Sequence, residues 1–137
     1  MGEIRTRVKL SNIFDLGLVA IGKLAADEVR RIEVDAVVDT GAVASVLPVH
    51  VVEKLGLEIR GHRVAKYADG RNETVGITSP ALWDILDRDT AEEALVLGDE
   101  VLIGQTVLEK LDLLADCAGQ RLIPHPARPN QPVLNVR

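Results

Sequence analysis

Apolar and polar positions alternate from the start of the chain. Ile4, Thr6, Val8 and Leu10 fall on one face, and Arg5, Arg7 and Lys9 on the other. A period of two predicts a half-buried strand. Residues 12–22 read as a turn followed by an apolar strand, and residues 23–28 as a polar loop. The alternation returns at Ile32, Val34, Ala36 and Val38 against Arg31, Glu33 and Asp35, and runs directly into Asp39-Thr40-Gly41. Pro48 can open a short helix because its missing N–H is not needed in a first turn. Val51, Val52 and Leu55 give that helix an apolar side, and Gly56 supplies a left-handed stop.

Further along, a strand is expected from Leu57 and another over residues 63–67, with Asp69-Gly70 as a hairpin turn and a returning arm over residues 71–77. Ala81, Trp83 and Ile85 alternate with Leu82, Asp84 and Leu86, which predicts another strand. Residues 94–97 and 101–103 are apolar on both faces, as buried strands are. Thr106 and Glu109 have capping-box spacing and predict the start of a second short helix. Residues 113–115 and 121–123 read as terminal strands around a turn at Cys117, Ala118 and Gly119. Four prolines from residue 124 to residue 132 predict an extended or loose tail. Residues 51–57 (VVEKLGL) and 107–113 (VLEKLDL) repeat one phrase, each after an apolar strand ending in glycine, which predicts one strand, glycine loop and helix unit used twice.

Composition narrows the function classes. The 137 residues amount to one domain. A hydrophobic share of 47% excludes global disorder. A net charge of -5 and an aromatic share of 2% speak against a nucleic-acid surface. The lone Cys117 has no partner for a disulfide or a zinc site, and the expected compartment is the cytoplasm. Residues 1–6 alternate charge and show no secretory leader, although they match a loose M-G-x-x-x-[ST] acylation spelling. Pro48 interrupts the longest uncharged run, so no membrane span is expected. His50, His62 and His125 have no metal-ligand spacing, Ser45 lacks the G-x-S-x-G setting of a serine hydrolase, and no phosphate-binding glycine pattern occurs. Neither metal nor organic cofactor is implied.

The candidate chemistry sits at Asp39, Thr40 and Gly41. The tripeptide is weak alone, but its context is specific: an apolar strand before it, Ala42 after it, then a helix, a hairpin at Tyr67, Ala68, Asp69, Gly70 and Arg71, and Leu102-Ile103-Gly104 before a second helix. In these features the chain resembles the retroviral-type (retropepsin-like) aspartic proteases and their bacterial single-domain relatives, over about residues 5–124. The resemblance implies an all-β, closed acid-protease barrel with two short helices, active as a homodimer. Residues 1–124 would form the protease domain and residues 125–137 a proline-rich tail.

It also implies roles. Asp39 would be the catalytic carboxylate. Thr40 would lock paired loops across a dyad, and Gly41 would let the backbone approach the carboxylate. Gly104 would close a second apolar loop beneath the site. Ala42 together with residues 67–71 would bind a peptide or protein substrate, the hairpin acting as a flap. Two carboxylates sharing a proton can activate water and protonate a carbonyl. This chain has a single D-T-G, because Asp89-Thr90-Ala91 lacks the glycine, so that chemistry requires a second copy.

Departures from the family pattern are visible too. Gln105 stands where retroviral enzymes often carry a dimer-tying arginine, and the tail does not resemble an interdigitating strand. Ala42 offers no hydroxyl to a carboxylate, which implies a less acidic working range than in relatives with Ser or Thr there. Two other readings stay open on the same residues: a non-catalytic peptide-binding or dimerisation module, and a structural β-barrel with an incidental D-T-G.

Overall fold

The computed structural model describes residues 3–136. Met1 and Gly2, on which the acylation spelling depends, lie outside them. The alternating segments form strands as expected: β1 (Arg5–Asn12), β2 (Arg31–Val38) and β6 (Ala81–Ile85) bury one face each. The remaining strands are β3 (Val46–Leu47), β4 (Ile59–Lys66), β5 (Asn72–Thr78), β7 (Arg88–Glu92), β8 (Leu95–Val96), β9 (Val101–Ile103), β10 (Leu113–Asp116) and β11 (Arg121–Pro124). Nine of them make one sheet in the order β4-β5-β8-β3-β9-β2-β1-β6-β7, and β10 pairs with β11 separately.

The expected closed barrel is not formed. The large sheet is a curled half-barrel with β4 and β7 as unjoined edges. One end leaves as the β4–β5 hairpin, whose Gly76 and Ile77 pair with β8 and whose Thr78 exchanges hydrogen bonds with Ala94 just before it. At the other end α3 (Gln105–Leu111) packs beside β7. Segment 57–67 is also one strand rather than two, starting at Ile59 with a register irregularity between Ile59 and Gly61.

The described residues hold three α-helices, not two. The unexpected one, α1 (Ile13–Ala20), replaces the strand expected after Asn12. Asn12 accepts the Asp15 amide at 2.9 Å, which satisfies an orphan first-turn donor. Gly22, at φ 74, ends the helix as the Gly22 and Lys23 amides return to the Val19 and Leu18 carbonyls. A single 3-10 turn, Ala26–Glu28, follows. No helix among the described residues is long and apolar enough to cross a membrane.

Both helices of the repeat form, but the units around them differ: β3 stands between Gly41 and the first helix, whereas Gly104 directly caps α3. Both α2 (Val49–Leu55) and α3 end on a left-handed residue, Gly56 at φ 64 and Asp112 at φ 54. Each of these donates its amide to carbonyls three and four residues back. A side chain then takes the last carbonyl of each helix: Asn12 Nδ2 donates to Leu55 at 2.8 Å, and the buried Arg88 donates to Leu111 at 2.9 Å. At the first stop a Cβ on Gly56 would meet the Arg30 guanidinium, so a side chain there would have to push Arg30 aside. At the second stop the Asp112 carboxylate grips Arg128 and the Val133 amide, holding the tail at the C-terminal end of α3. The sheet and the helices enclose a core in which Leu10, Leu47, Leu55, Trp83, Ile85, Ile103 and Leu111 are almost wholly covered.

Arg30 also anchors α1 through a two-pronged pair with the buried Asp15, at 2.9 Å for each oxygen. The Arg30 guanidinium and amide hold the Asp15 carboxyl down to about 2, below its ordinary 3.8. Both folded and unfolded chains carry this carboxylate ionised above pH 4, so its contribution is complete there and is lost as pH falls through about 2. Denaturant melts of wild type and Asp15→Asn should therefore differ most at neutral pH and converge as the pH is lowered from 4 towards 2.

Candidate active site

Asp39 follows the last residue of β2, on a loop that is fixed almost entirely by backbone hydrogen bonds. Its amide donates to Ile103 O on β9 at 2.9 Å. That bond continues the parallel pairing of β2 with β9, where Val38 faces Ile103. The chain turns at once, with the Ala42 amide donating to Asp39 O at 3.2 Å. Within the turn the Gly41 amide donates to Asp39 Oδ1 at 3.1 Å, holding a half-buried carboxylate in one direction. A Cβ on Gly41 would lie 3.4 Å from the same oxygen, an ordinary van der Waals contact, so residue 41 stands directly beside the carboxylate. Thr40 and Gly41 are exposed, and Ala42 is half-buried.

Gly104 sits against this loop. A side chain there would put Cβ 2.6 Å from Ala44 O and 2.8 Å from Val43 O, both backbone atoms. Three successive amides then reach across: Gly104 to Ser45 Oγ at 2.9 Å, Gln105 to Ala42 O at 2.7 Å and Thr106 to Val43 O at 3.3 Å. The Asp39 loop thus takes up the orphan donors at the start of α3, which has Gly104 as N-cap and no side-chain cap. This corrects the capping box expected of Thr106 and Glu109. The helix is capped two residues earlier, at Gly104 instead of Thr106, because the loop carbonyls already satisfy its amides.

Residues 67–71 form a turn fastened to itself. The Tyr67 amide donates to Arg71 O at 2.9 Å, and Gly70, at φ 90, donates to Tyr67 O at 3.0 Å. Asp69 accepts the Arg71 amide at 2.9 Å and its Nε at 2.8 Å, and both hold the Asp69 carboxyl below its ordinary range. The Arg71 guanidinium lies 4.6 Å from the centre of the Tyr67 ring. The Tyr67 hydroxyl donates to Glu73 at 2.7 Å, which raises the phenol above its ordinary range. Ala68, Asp69, Gly70 and Arg71 are exposed.

The structure therefore brings Asp39, Gly41 and Ala42 together with Gly104, and keeps Tyr67, Ala68, Asp69, Gly70 and Arg71 as a separate projecting tip. Among the described residues no hydrogen bond joins the two groups, and no cluster of three or more His, Cys, Asp or Glu side chains is placed to hold a metal ion. In the sequence Ser45 counts as part of the context behind the D-T-G and is excluded as a nucleophile, but its bond to the Gly104 amide was not foreseen. Its only signal was a hydroxyl between apolar neighbours in a segment that had to be buried.

A curled half-barrel that carries D-T-G at the end of one strand and a glycine loop pressed against it defines a retropepsin-like aspartic protease-type domain. The aspartyl protease family model matches residues 28–107, more than half of the chain, and the protein belongs to that family. The matched span runs from just before β2, through the Asp39 loop and the hairpin, into α3. Among solved structures, the retroviral protease-like domain of Ddi1 from Leishmania major is similar over 98% of this chain and 96% of that one, with a TM-score of 0.59. At 17% identity that likeness is one of fold. No curated protein matches the chain.

Proposed function

We propose that the protein is a homodimeric aspartic endopeptidase in which Asp39 from each of two identical chains forms one catalytic pair. The observation that carries this reading is the Asp39 carboxylate itself, held by the Gly41 amide on a loop braced by Gly104, with one such half-site per chain. The ionised member of the pair takes a proton from water, and the water oxygen bonds to the peptide carbonyl carbon. The protonated member gives its proton to the carbonyl oxygen. Return of a proton to the amide nitrogen then releases the amine as the C–N bond breaks. The two titrations belong to the pair rather than to either residue.

Around that centre, Thr40 and Gly41 meet their counterparts across the two-fold axis. Ala42 and residues 67–71 contact the peptide, and the hairpin closes over it and keeps bulk water out. The self-bonded tip supports a flap that moves as one piece. Residues 1–124 are the working domain and residues 125–137 a proline-rich tail, in which Asp112 holds Arg128 and the Val133 amide. The exposed thiol of Cys117 suits a reducing, cytoplasmic setting.

The test is hydrolysis of a denatured-protein mixture from acid to neutral pH, with and without a chelator. Cleavage that the chelator leaves intact supports the proposal. Peptide binding without turnover at any pH replaces it with a binding module on the same fold.

A further inference from the structure

The seam between the Asp39 loop and α3 contains one side chain. The amides of Gln105 and Thr106 donate to backbone carbonyls, but the Gly104 amide donates to the hydroxyl of Ser45, at 2.9 Å. Ser45 is 1% exposed, so water cannot take over that bond. Its carbonyl accepts the Leu95 amide at 3.0 Å, just before the point where β3 joins β8. Ser45 thus ties three things: β8 through its carbonyl, the Gly104 turn through its hydroxyl, and the Asp39 loop through the chain it ends.

From this geometry we infer that Ser45 is a positioning residue for the proposed reaction. Its hydroxyl sets the height of the Asp39 loop against Gly104, and through that loop the direction of the Asp39 carboxylate. The packing allows little slack. Gly104 already lies so close to Ala44 that even a methyl group would not fit, so a seam with one bond missing opens rather than tightens. The turn held by the Ala42 amide and the bond from the Gly41 amide to Asp39 lie three and four residues upstream of Ser45 on the same loop. A loop that opens at its Ser45 end tilts the carboxylate at the other. Small displacements of reacting groups are costly in rate, because near-attack geometry is lost before binding is.

The inference rests on the proteolytic reading, and its test separates the two. In Ser45→Ala, kcat per folded molecule should fall about ten- to a hundred-fold, with KM within about two-fold of wild type. The Gly104 amide should exchange with solvent faster, and the Gly41 amide resonance should move. Ser45→Thr keeps the hydroxyl and should restore the Gly41 resonance and most of kcat. Asn12→Ala removes another buried polar anchor, at the β1–α1 junction, and should lower Tm without changing kcat. A Ser45→Ala protein with an unmoved Gly41 resonance and unchanged kcat overturns the inference, as does an Asn12→Ala protein that loses kcat equally. If wild type cleaves nothing, the proteolytic reading falls, and the Gly41 and Gly104 amides alone then decide whether Ser45 sets the loop.

Discussion

Asp39→Asn is expected to lower peptide hydrolysis at least about 10³-fold while leaving Tm and the state of association unchanged. Asparagine has the shape of aspartate, and its side-chain oxygen can still accept the Gly41 amide that now holds Oδ1 at 3.1 Å. The loop bonds from Asp39 to Ile103 and from Ala42 to Asp39 are backbone bonds and survive the change. What is lost is the proton traffic: an amide cannot take a proton from water at working pH, nor share one with a neighbouring carboxylate. Steady-state hydrolysis beside thermal melts and light scattering checks both halves. Loss of activity with a large drop in Tm would instead make Asp39 a structural residue.

Gly104→Ala should be the most damaging single-methyl change at the site. The new Cβ would sit 2.6 Å from Ala44 O and 2.7 Å from Ala44 C, and backbone atoms cannot swing aside as a flexible side chain can. Overpacking of this kind costs about 1–3 kcal/mol. The loop that must yield is the one carrying Asp39, so hydrolysis should fall by about two orders of magnitude as well. The same substitution at Gly17 gives the opposite sign. Gly17 is exposed on α1 with nothing within 4 Å of a Cβ, and alanine there should add about 0.5–1 kcal/mol through helix propensity. Urea titrations of the two variants measure that contrast directly. Equal stability for both would mean that Gly104 is not pressed against the loop.

Much of the fold was legible because its strands are amphipathic. β1, β2 and β6 announce themselves by alternation, and the Asp69-Gly70 turn by a glycine that does adopt positive φ. The D-T-G and the glycine ending β9 were readable as a candidate site, as was the helix phrase used twice. The failures have separate causes. α1 is apolar on nearly every side, so it carries no period to distinguish helix from strand, and its cue was the Asn12 and Asp15 pair at its start. β7 went unseen because its hairpin turns through Leu86 and Asp87, both at positive φ, where the usual asparagine or glycine signal is missing. Closure of the sheet is a property of edges, which no local pattern encodes. The seam at Gly104 is built of backbone bonds plus one serine hydroxyl, and backbone bonds leave no trace in residue identity.

The central claim is that one site is shared by two chains, and subunit mixing tests it most directly. Wild type and Asp39→Asn are unfolded together, refolded in varied proportion and assayed at constant total protein. If each site draws one Asp39 from each chain, activity follows the square of the wild-type fraction, about a quarter of full activity at equal parts. Activity in simple proportion to the wild-type fraction would mean that each chain works alone, and would contradict the account.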